Sequence, residues 1–290
     1  MNMNVAMSGA SGFVGTHLKQ VFAAQGWTVT ALGRDAFRSA ETLYGKVQNT
    51  DVVVNLAGAP IAARWSDAYK KELYASRIDT TRAMVSALAE LEKRPRLFVS
   101  TSAVGIYPPD MPCDESSSVL AQDFLGRLAQ DWEREASRAS VLGVRTVIFR
   151  FGVVLGSGGG ALAKMLTPFK LGLGGIIGDG TQPFSWIHMD DLAEAFLFVI
   201  RQEQCSGVYN LTAPVPVSNA VFTKTLAATL RRPAVLPVPT FALRLRFGEG
   251  ADVLIKGQHV LPRRLQESGF KFRYPCIEEA LKNLLAERQA

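Results

Sequence analysis

The chain is short of the residues and runs that would define several protein classes. It has only three cysteines, Cys113, Cys205 and Cys276, far apart and odd in number. Three thiols make no disulfide framework and no pair has metal-ligand spacing, so no metal site is expected and a reducing compartment fits best. Basic residues never run to five; the adjacent pairs are Lys70-Lys71, Lys93-Arg94, Arg231-Arg232 and Arg263-Arg264. A net charge of +6 spread this thinly makes no nucleic-acid patch. The longest apolar run near a helix, Ala195 to Ile200, is far too short to span a bilayer. No positively charged N-terminal segment leads into an apolar stretch, so no signal peptide is expected. Internal repeats and low-complexity tracts are lacking as well. These absences point to a cytoplasmic protein with neither membrane nor nucleic-acid partners. What is left, 48% hydrophobic and 20% charged residues over 290 positions, can build one large α/β domain, with or without a smaller lobe.

The most informative stretch comes first. A short apolar run, Val5-Ala6-Met7, leads into Gly9-Ala10-Ser11-Gly12-Phe13-Val14-Gly15. Val14, Leu18, Val21 and Phe22 then recur at near-helical spacing, so the segment reads strand, glycine turn, helix. Gly9 allows a sharp exit from the strand. Gly12 lets backbone approach a pyrophosphate, and Gly15 lets the helix pack closely on the sheet. The pyrophosphate would rest on the unpaired N–H groups of the helix, where Ser11, Gly12, Phe13 and Val14 lie. A strand-to-helix turn that binds nothing is the alternative.

A second strand, Trp27 to Leu32, ends at Gly33-Arg34-Asp35. NAD-preferring folds place an acid at the end of this strand to bind the ribose 2′-OH. Gly33 holds that place here, with Arg34 beside it. A carboxylate would repel a 2′-phosphate, whereas an arginine binds it with a charge-assisted fork, so NADP is the expected cofactor. Asp35 restores an acid if the register shifts slightly.

Asp51 to Gly58 is a third strand, apolar on both faces in Val52-Val53-Val54 as a central parallel strand must be. A long helical segment is expected from about Asp67 to Leu91, a fourth strand over Arg96–Ser102, a charged helix over Arg127–Ala139 and a fifth strand over Val144–Phe151. The glycine run Gly156 to Gly160 reads as flexible loop. Strand and helix alternate to about residue 155, which argues a doubly wound parallel sheet of Rossmann type. The expected organisation is a Rossmann domain over residues 1–165, with return elements at about 184–212. Residues 166–183 and 213–290 would form a small, mainly helical C-terminal substrate lobe over the carboxyl ends of the strands.

The glycine turn, Asn55-Leu56-Ala57-Gly58, Ser100-Thr101-Ser102-Ala103 and Trp186-Ile187-His188-Met189-Asp190-Asp191 together resemble the extended short-chain dehydrogenase/reductase superfamily, which includes nucleotide-sugar epimerases. A narrower resemblance is to its atypical "epimerase family protein" group. It is carried by Asp131-Trp132-Glu133, Gly152-Val153-Val154-Leu155-Gly156, the glycine-rich Leu171 to Gly178, and Leu261-Pro262-Arg263-Arg264-Leu265 in a C-terminal segment of unknown function. The resemblance implies NADP(H) binding. Gly33 and Arg34 would lie near the adenosine phosphate and Leu56 and Ala57 along the cofactor. Glu72 and Arg77 would reach it, and Val153 would sit on the nicotinamide side. An exposed helix face is the alternative for Glu72 and Arg77.

The superfamily's chemistry uses a Ser or Thr with a Tyr-x-x-x-Lys pair, the Tyr exchanging a proton while hydride moves and the Lys lowering its pKa. That pair is missing. The six tyrosines, Tyr44, Tyr69, Tyr74, Tyr107, Tyr209 and Tyr274, are followed four residues on by Gln48, Leu73, Ile78, Met111, Ala213 and Glu278. Alignment on Glu133 puts Leu125 and Ala129 at the Tyr and Lys positions. Ser102 matches the family serine, with a satisfied strand-end hydroxyl as the alternative. Tyr107, in the loop leaving strand four, and His188 are the remaining candidate proton donors. For His188 a structural bracket before a helix is the commoner role. Two functions therefore stand: an NADP(H)-dependent oxidoreductase or epimerase with a rebuilt acid/base site, acting on a small molecule such as a sugar nucleotide, or a non-catalytic NADP(H)-binding sensor or interaction protein.

Overall fold

The computed structural model describes residues 2–109 and 111–286. Its first half alternates β1 (Asn4–Ser8), α1 (Phe13–Ala24), β2 (Thr28–Leu32), α2 (Ala40–Val47), β3 (Val52–Asn55), α3 (Asp67–Ala75), α4 (Ile78–Glu90), β4 (Leu97–Ala103), a short β5 (Pro112–Cys113), α5 (Phe124–Val141) and β6 (Arg145–Phe151). Then come β7 (Val153–Leu155), α6 (Gly160–Lys170), β8 (Pro183–Phe184), β9 (Trp186–His188), α7 (Met189–Arg201) and β10 (Gly207–Leu211). Helices α8 (Asn219–Leu230) and α9 (Thr240–Phe247) follow, and the last described helix is Ile277–Ala286. The helical segment expected over Asp67–Leu91 is two helices. The break falls at Ser76 and Arg77, where the Arg77 guanidinium donates to the Leu73 carbonyl one turn back and to the Ala59 carbonyl.

Six strands form one parallel sheet in the order β10-β6-β4-β3-β1-β2. Successive side chains of each strand point to opposite faces, and both faces are covered. Met7, Val54, Val99 and Phe149 pack with Leu18 and Phe22 of α1 and Leu192 and Phe196 of α7. Ala6, Val53, Phe98 and Ile148 pack on the other side with Leu43 of α2, Met84 and Leu88 of α4, and Ala136 of α5. The valine run Val52-Val53-Val54 is fully buried in this way. After β2 the chain crosses β1 and adds β3 on its far side, so the order in which strands are added reverses between β1 and β3. In an open α/β sheet that switch point opens the ligand crevice at the carboxyl ends of the strands.

Later segments return to the same end of the sheet. Ser185 donates to the Gln258 carbonyl and accepts from Val260 N–H. Asp191, buried in α7, accepts from Arg273 N–H at 2.7 Å and Tyr274 N–H at 2.9 Å, tying the helix to the C-terminal segment. A third apolar cluster, with Leu162, Trp186, Phe222, Leu226 and Leu281, joins α6 and α8 to the last helix.

Gly15 on α1 faces the turn so closely that a Cβ there collides with the Gly9 carbonyl. Gly15→Ala is expected to cost about 1–3 kcal/mol by overpacking. Gly158→Ala, with nothing within 4 Å, should leave the midpoint of urea unfolding unchanged.

Candidate functional site: the glycine turn and its crevice

The glycine turn sits at the switch point. Gly9 has φ +65°, and a side chain there would lie 2.7 Å from the Leu56 carbonyl, so only glycine lets the turn leaving β1 meet the loop leaving β3. Gly12 caps α1 with no side-chain hydrogen bond, and the first turn of α1 holds no acidic residue. Ser11 and Gly12 are exposed. The helix end is therefore an open set of N–H donors at the positive end of a dipole, a cradle that fits a pyrophosphate. Val14 faces the core, half-buried, while the ring of half-buried Phe13 faces Gly156, Gly159 and Gly160, where an added Cβ would lie 2.6, 2.8 and 2.6 Å from it. The glycine run read as flexible loop is thus packed around an aromatic ring, and α6 starts from it.

The loop Leu56–Ala59 forms the opposite wall, and buried polar groups hold it. Ser8, the last residue of β1, donates to Asn55 Oδ1 at 2.7 Å and accepts from the N–H groups of Leu56 and Ala57 at 3.1 and 3.2 Å. Asn55 donates to Thr81 Oγ1 at 2.7 Å, and Trp132 Nε1 donates to the same oxygen. Arg77 donates to the Leu73 and Ala59 carbonyls at 3.2 and 2.9 Å, and its guanidinium lies beside Gly58 and over the Trp132 ring. Burial pulls its pKa down to about 10. Arg77 thus shapes the wall, whereas Glu72, on the other side of the helix break, is exposed. Val153 pairs with Trp186 and donates its N–H to the Ser185 carbonyl.

The third wall is the end of β2. Leu32 pairs with Ser8, which brings Gly33 alongside Gly9. Arg34 is exposed. Asp35 is ion-paired with Lys46 Nζ at 2.6 Å, and that hydrogen bond, offset in part by desolvation, holds its carboxyl below the ordinary value.

The candidate acid/base groups lie deeper. Ser102 donates to Glu133 Oε1 at 2.7 Å. Arg150 grips the same carboxylate with both arms, Nε to Oε1 and Nη2 to Oε2, each at 2.7 Å. Its remaining Nη1 donates to the Tyr107 hydroxyl at 2.6 Å, which donates on to Asn210 Oδ1 at 2.9 Å. Burial would lower the Arg150 pKa, but Glu133 and Tyr107 more than offset it and hold it above the ordinary value. Burial pushes Tyr107 up to about 12 against the pull of Arg150. Tyr107 is 0% exposed and Ser102 3%, so both hydroxyls face the interior rather than the crevice. The swing of Tyr107 toward a nicotinamide, expected from the loop position, has no room, because its ring is packed with Ile106, Ala129 and Val260. His188 is likewise buried. Its Nδ1 accepts from Asp190 N–H, Nε2 meets Asn283 Oδ1 at 3.0 Å, and its ring stacks on Tyr274. Leu125 lies against Gly105, and Ala129 is buried. Sequence reasoning missed Ser8, Thr81 and Arg150. Ser8 and Asn55 carried a signal, being polar residues at the last position of otherwise apolar strands; Thr81 and Arg150 carried none.

Among the described residues no helix is long and apolar enough to cross a membrane, and no cluster of three or more His, Cys, Asp or Glu side chains could hold a metal ion.

A parallel sheet with a glycine turn opening onto an uncapped helix at its switch point defines a Rossmann-type protein of the extended short-chain dehydrogenase/reductase kind. The sequence model of the NAD dependent epimerase/dehydratase family matches residues 5–212, and that of a domain of unknown function, DUF1731, matches residues 238–284. The chain belongs to the NAD dependent epimerase/dehydratase family. It is 38% identical over 302 residues to the epimerase family protein YfhF of Bacillus subtilis, covering 99% of each chain. The crystal structure of human epimerase family protein SDR39U1 (isoform 2) with NADPH superposes with a TM-score of 0.90 at 35% identity, over 98% of this chain and 99% of that one. The nucleoside-diphosphate sugar epimerase of Corynebacterium glutamicum superposes with a TM-score of 0.81 at 31% identity, over 99% of this chain and 59% of that one.

Two outcomes follow for the buried groups. Arg150→Met strands the Glu133 carboxylate and should cost about 3–5 kcal/mol, and adding Glu133→Leu should recover roughly half or more of that loss, as read by urea unfolding. Glu115, which accepts from Asn210 N–H at 2.7 Å and Arg264 N–H at 3.3 Å, has its pKa raised above 4.5 by burial. The folded state then holds the proton more tightly than the unfolded chain. The linked stability is present below 4.5 and lost as pH rises through the folded value. Relative to Glu115→Gln, the unsubstituted protein should lose stability across that window in a pH series of unfolding midpoints.

Proposed function

We propose that the protein is an NADP(H)-binding, atypical member of its family that works as an oxidoreductase or epimerase on a small molecule of the sugar-nucleotide class. The observation that carries this reading is the exposed Arg34 beside an open, acid-free helix end at the switch point. Gly9, Ser11, Gly12, Phe13, Val14 and Gly15 would hold the pyrophosphate. Gly33 and Arg34 would take the 2′-phosphate, with Leu56, Ala57, Arg77 and Val153 along the remaining length and Glu72 at its edge. The NADPH in the human relative supports the same cofactor. The bound cofactor supplies a hydride donor or acceptor; the chain's part is to bind it, orient it and exclude water from it.

Ser102 would contribute to the proton side through Glu133, with Tyr107 polarised by Arg150 behind it. A second reading, a non-catalytic NADP(H) sensor or interaction module, is favoured by one specific observation: the hydroxyls of Ser102 and Tyr107 and the imidazole of His188 are all buried and already bonded.

Purified protein should carry NADP(H) detectable by mass spectrometry and gain thermal stability from NADPH. Absence of both would sink the two readings together. Hydride exchange with members of a carbonyl and sugar-nucleotide panel supports the enzyme; NADPH binding with no exchange supports the sensor. Arg34→Glu removes the phosphate's partner and adds repulsion, so it should reverse the ratio of NADPH to NADH affinity in a fluorescence titration. An unchanged ratio removes Arg34 from the site.

A further inference from the structure

The end of β2 holds an acid where one is least expected beside a phosphate-binding arginine. Asp35 follows Arg34 directly, on the short 3-10 turn Arg34–Phe37 that Gly33 caps. An acid at this strand end selects the ribose 2′-OH of NAD and repels a 2′-phosphate. A free Asp35 would therefore work against Arg34.

It is not free. A Cβ built on Gly33 would lie 2.6 Å from Asp35 Oδ1, so the carboxylate folds back into the notch that a missing side chain leaves. Its other oxygen, Oδ2, is bonded by Lys46 Nζ at 2.6 Å, eleven residues on, in the last turn of α2. Both oxygens are thus placed by neighbours, one by a glycine notch and one by an ammonium. The pair is partly solvated, with side-chain exposures of 32% for Lys46 and 57% for Asp35, so its contribution to folding is small. Residues 33–47 carry Arg34, Arg38 and Lys46 against Asp35 and Glu41, one net positive charge that vanishes without Lys46.

We propose that Lys46 is a specificity-determining residue of the cofactor site: it pins the Asp35 carboxylate over Gly33 and cancels its charge, so that the acid neither hydrogen-bonds a 2′-OH nor repels a 2′-phosphate at Arg34. This rests on the reading of Arg34 as the 2′-phosphate partner. Lys46 acts through Asp35 and is a positioning residue. It makes the acid at the strand end silent, and NADP over NAD becomes a property of three side chains rather than of one arginine.

The experiment is a set of NADPH and NADH affinities for the full chain, by fluorescence titration, with Lys46→Gln, Lys46→Arg, Asp35→Asn and the double variant Lys46→Gln/Asp35→Asn. The unsubstituted protein is measured first. If it does not prefer NADPH, the reading of Arg34 itself fails. Given that preference, Lys46→Gln should lower the NADPH to NADH affinity ratio by roughly tenfold at low salt, and by less at high salt, as expected for one uncompensated charge at several ångströms. Lys46→Arg should keep the ratio. The double variant should restore it to within about twofold, because with no carboxylate there is nothing left to silence. A Lys46→Gln variant that weakens both cofactors equally shows a merely structural residue and overturns the proposal. So does a double variant that stays as poor as Lys46→Gln, which would mean that Lys46 touches the phosphate itself.

Discussion

A carboxylate and a guanidinium buried together under the carboxyl ends of the central strands organise this protein. Glu133 comes from α5 and Arg150 from β6, and only about a tenth of either side chain is open to water, 11% and 9%. Two charges in that setting persist only when each remaining donor and acceptor is matched. The matching recruits Ser102 from β4, Tyr107 from the loop beyond it and, through Asn210, the edge strand β10 and the Leu261 carbonyl of the C-terminal segment. One desolvated ion pair therefore sets the position of a helix, three strands, a loop and the C-terminal segment.

That arrangement bears on chemistry. Two turns and one turn before Glu133 on α5 stand Leu125 and Ala129, the places that the family resemblance gives to a tyrosine and a lysine. Leu125 is half-buried beside Gly105, and Ala129 is buried. The hydroxyls that remain nearby serve the ion pair. The polar layer of Ser102, Tyr107, Glu133 and Arg150 is thus bonded within itself, while Leu125 and Ala129 on the same helix are apolar.

Much of this could be read from the chain. The apolar run before three spaced glycines identifies β1, the turn and α1, because only glycine meets the steric demands at Gly9 and Gly15. The triple valine of β3 identifies a strand buried on both faces. The order of the strands, and the switch point it creates, depends on pairings between distant segments that no local pattern encodes. The break at Ser76 and Arg77 escapes periodicity because both halves have good helical spacing, and the Arg77 bond to the Ala59 carbonyl beside it joins segments that no local pattern connects. Arg34 was visible as a charge at a strand end. That Asp35 is occupied by Lys46, and that Tyr107 is sealed inside, are facts of packing that the residues' names do not carry.

The ring of Phe13 has a reach beyond its own turn. Gly156, Gly159 and Gly160 each leave vacant the volume that this one ring fills, so the start of α6 and the start of α1 share a single bearing surface. Any motion that lifts the first turn of α1 must carry the ring with it, and the segment leading to α6 then loses its support. What seats the glycine turn also seats the loop that leads into α6.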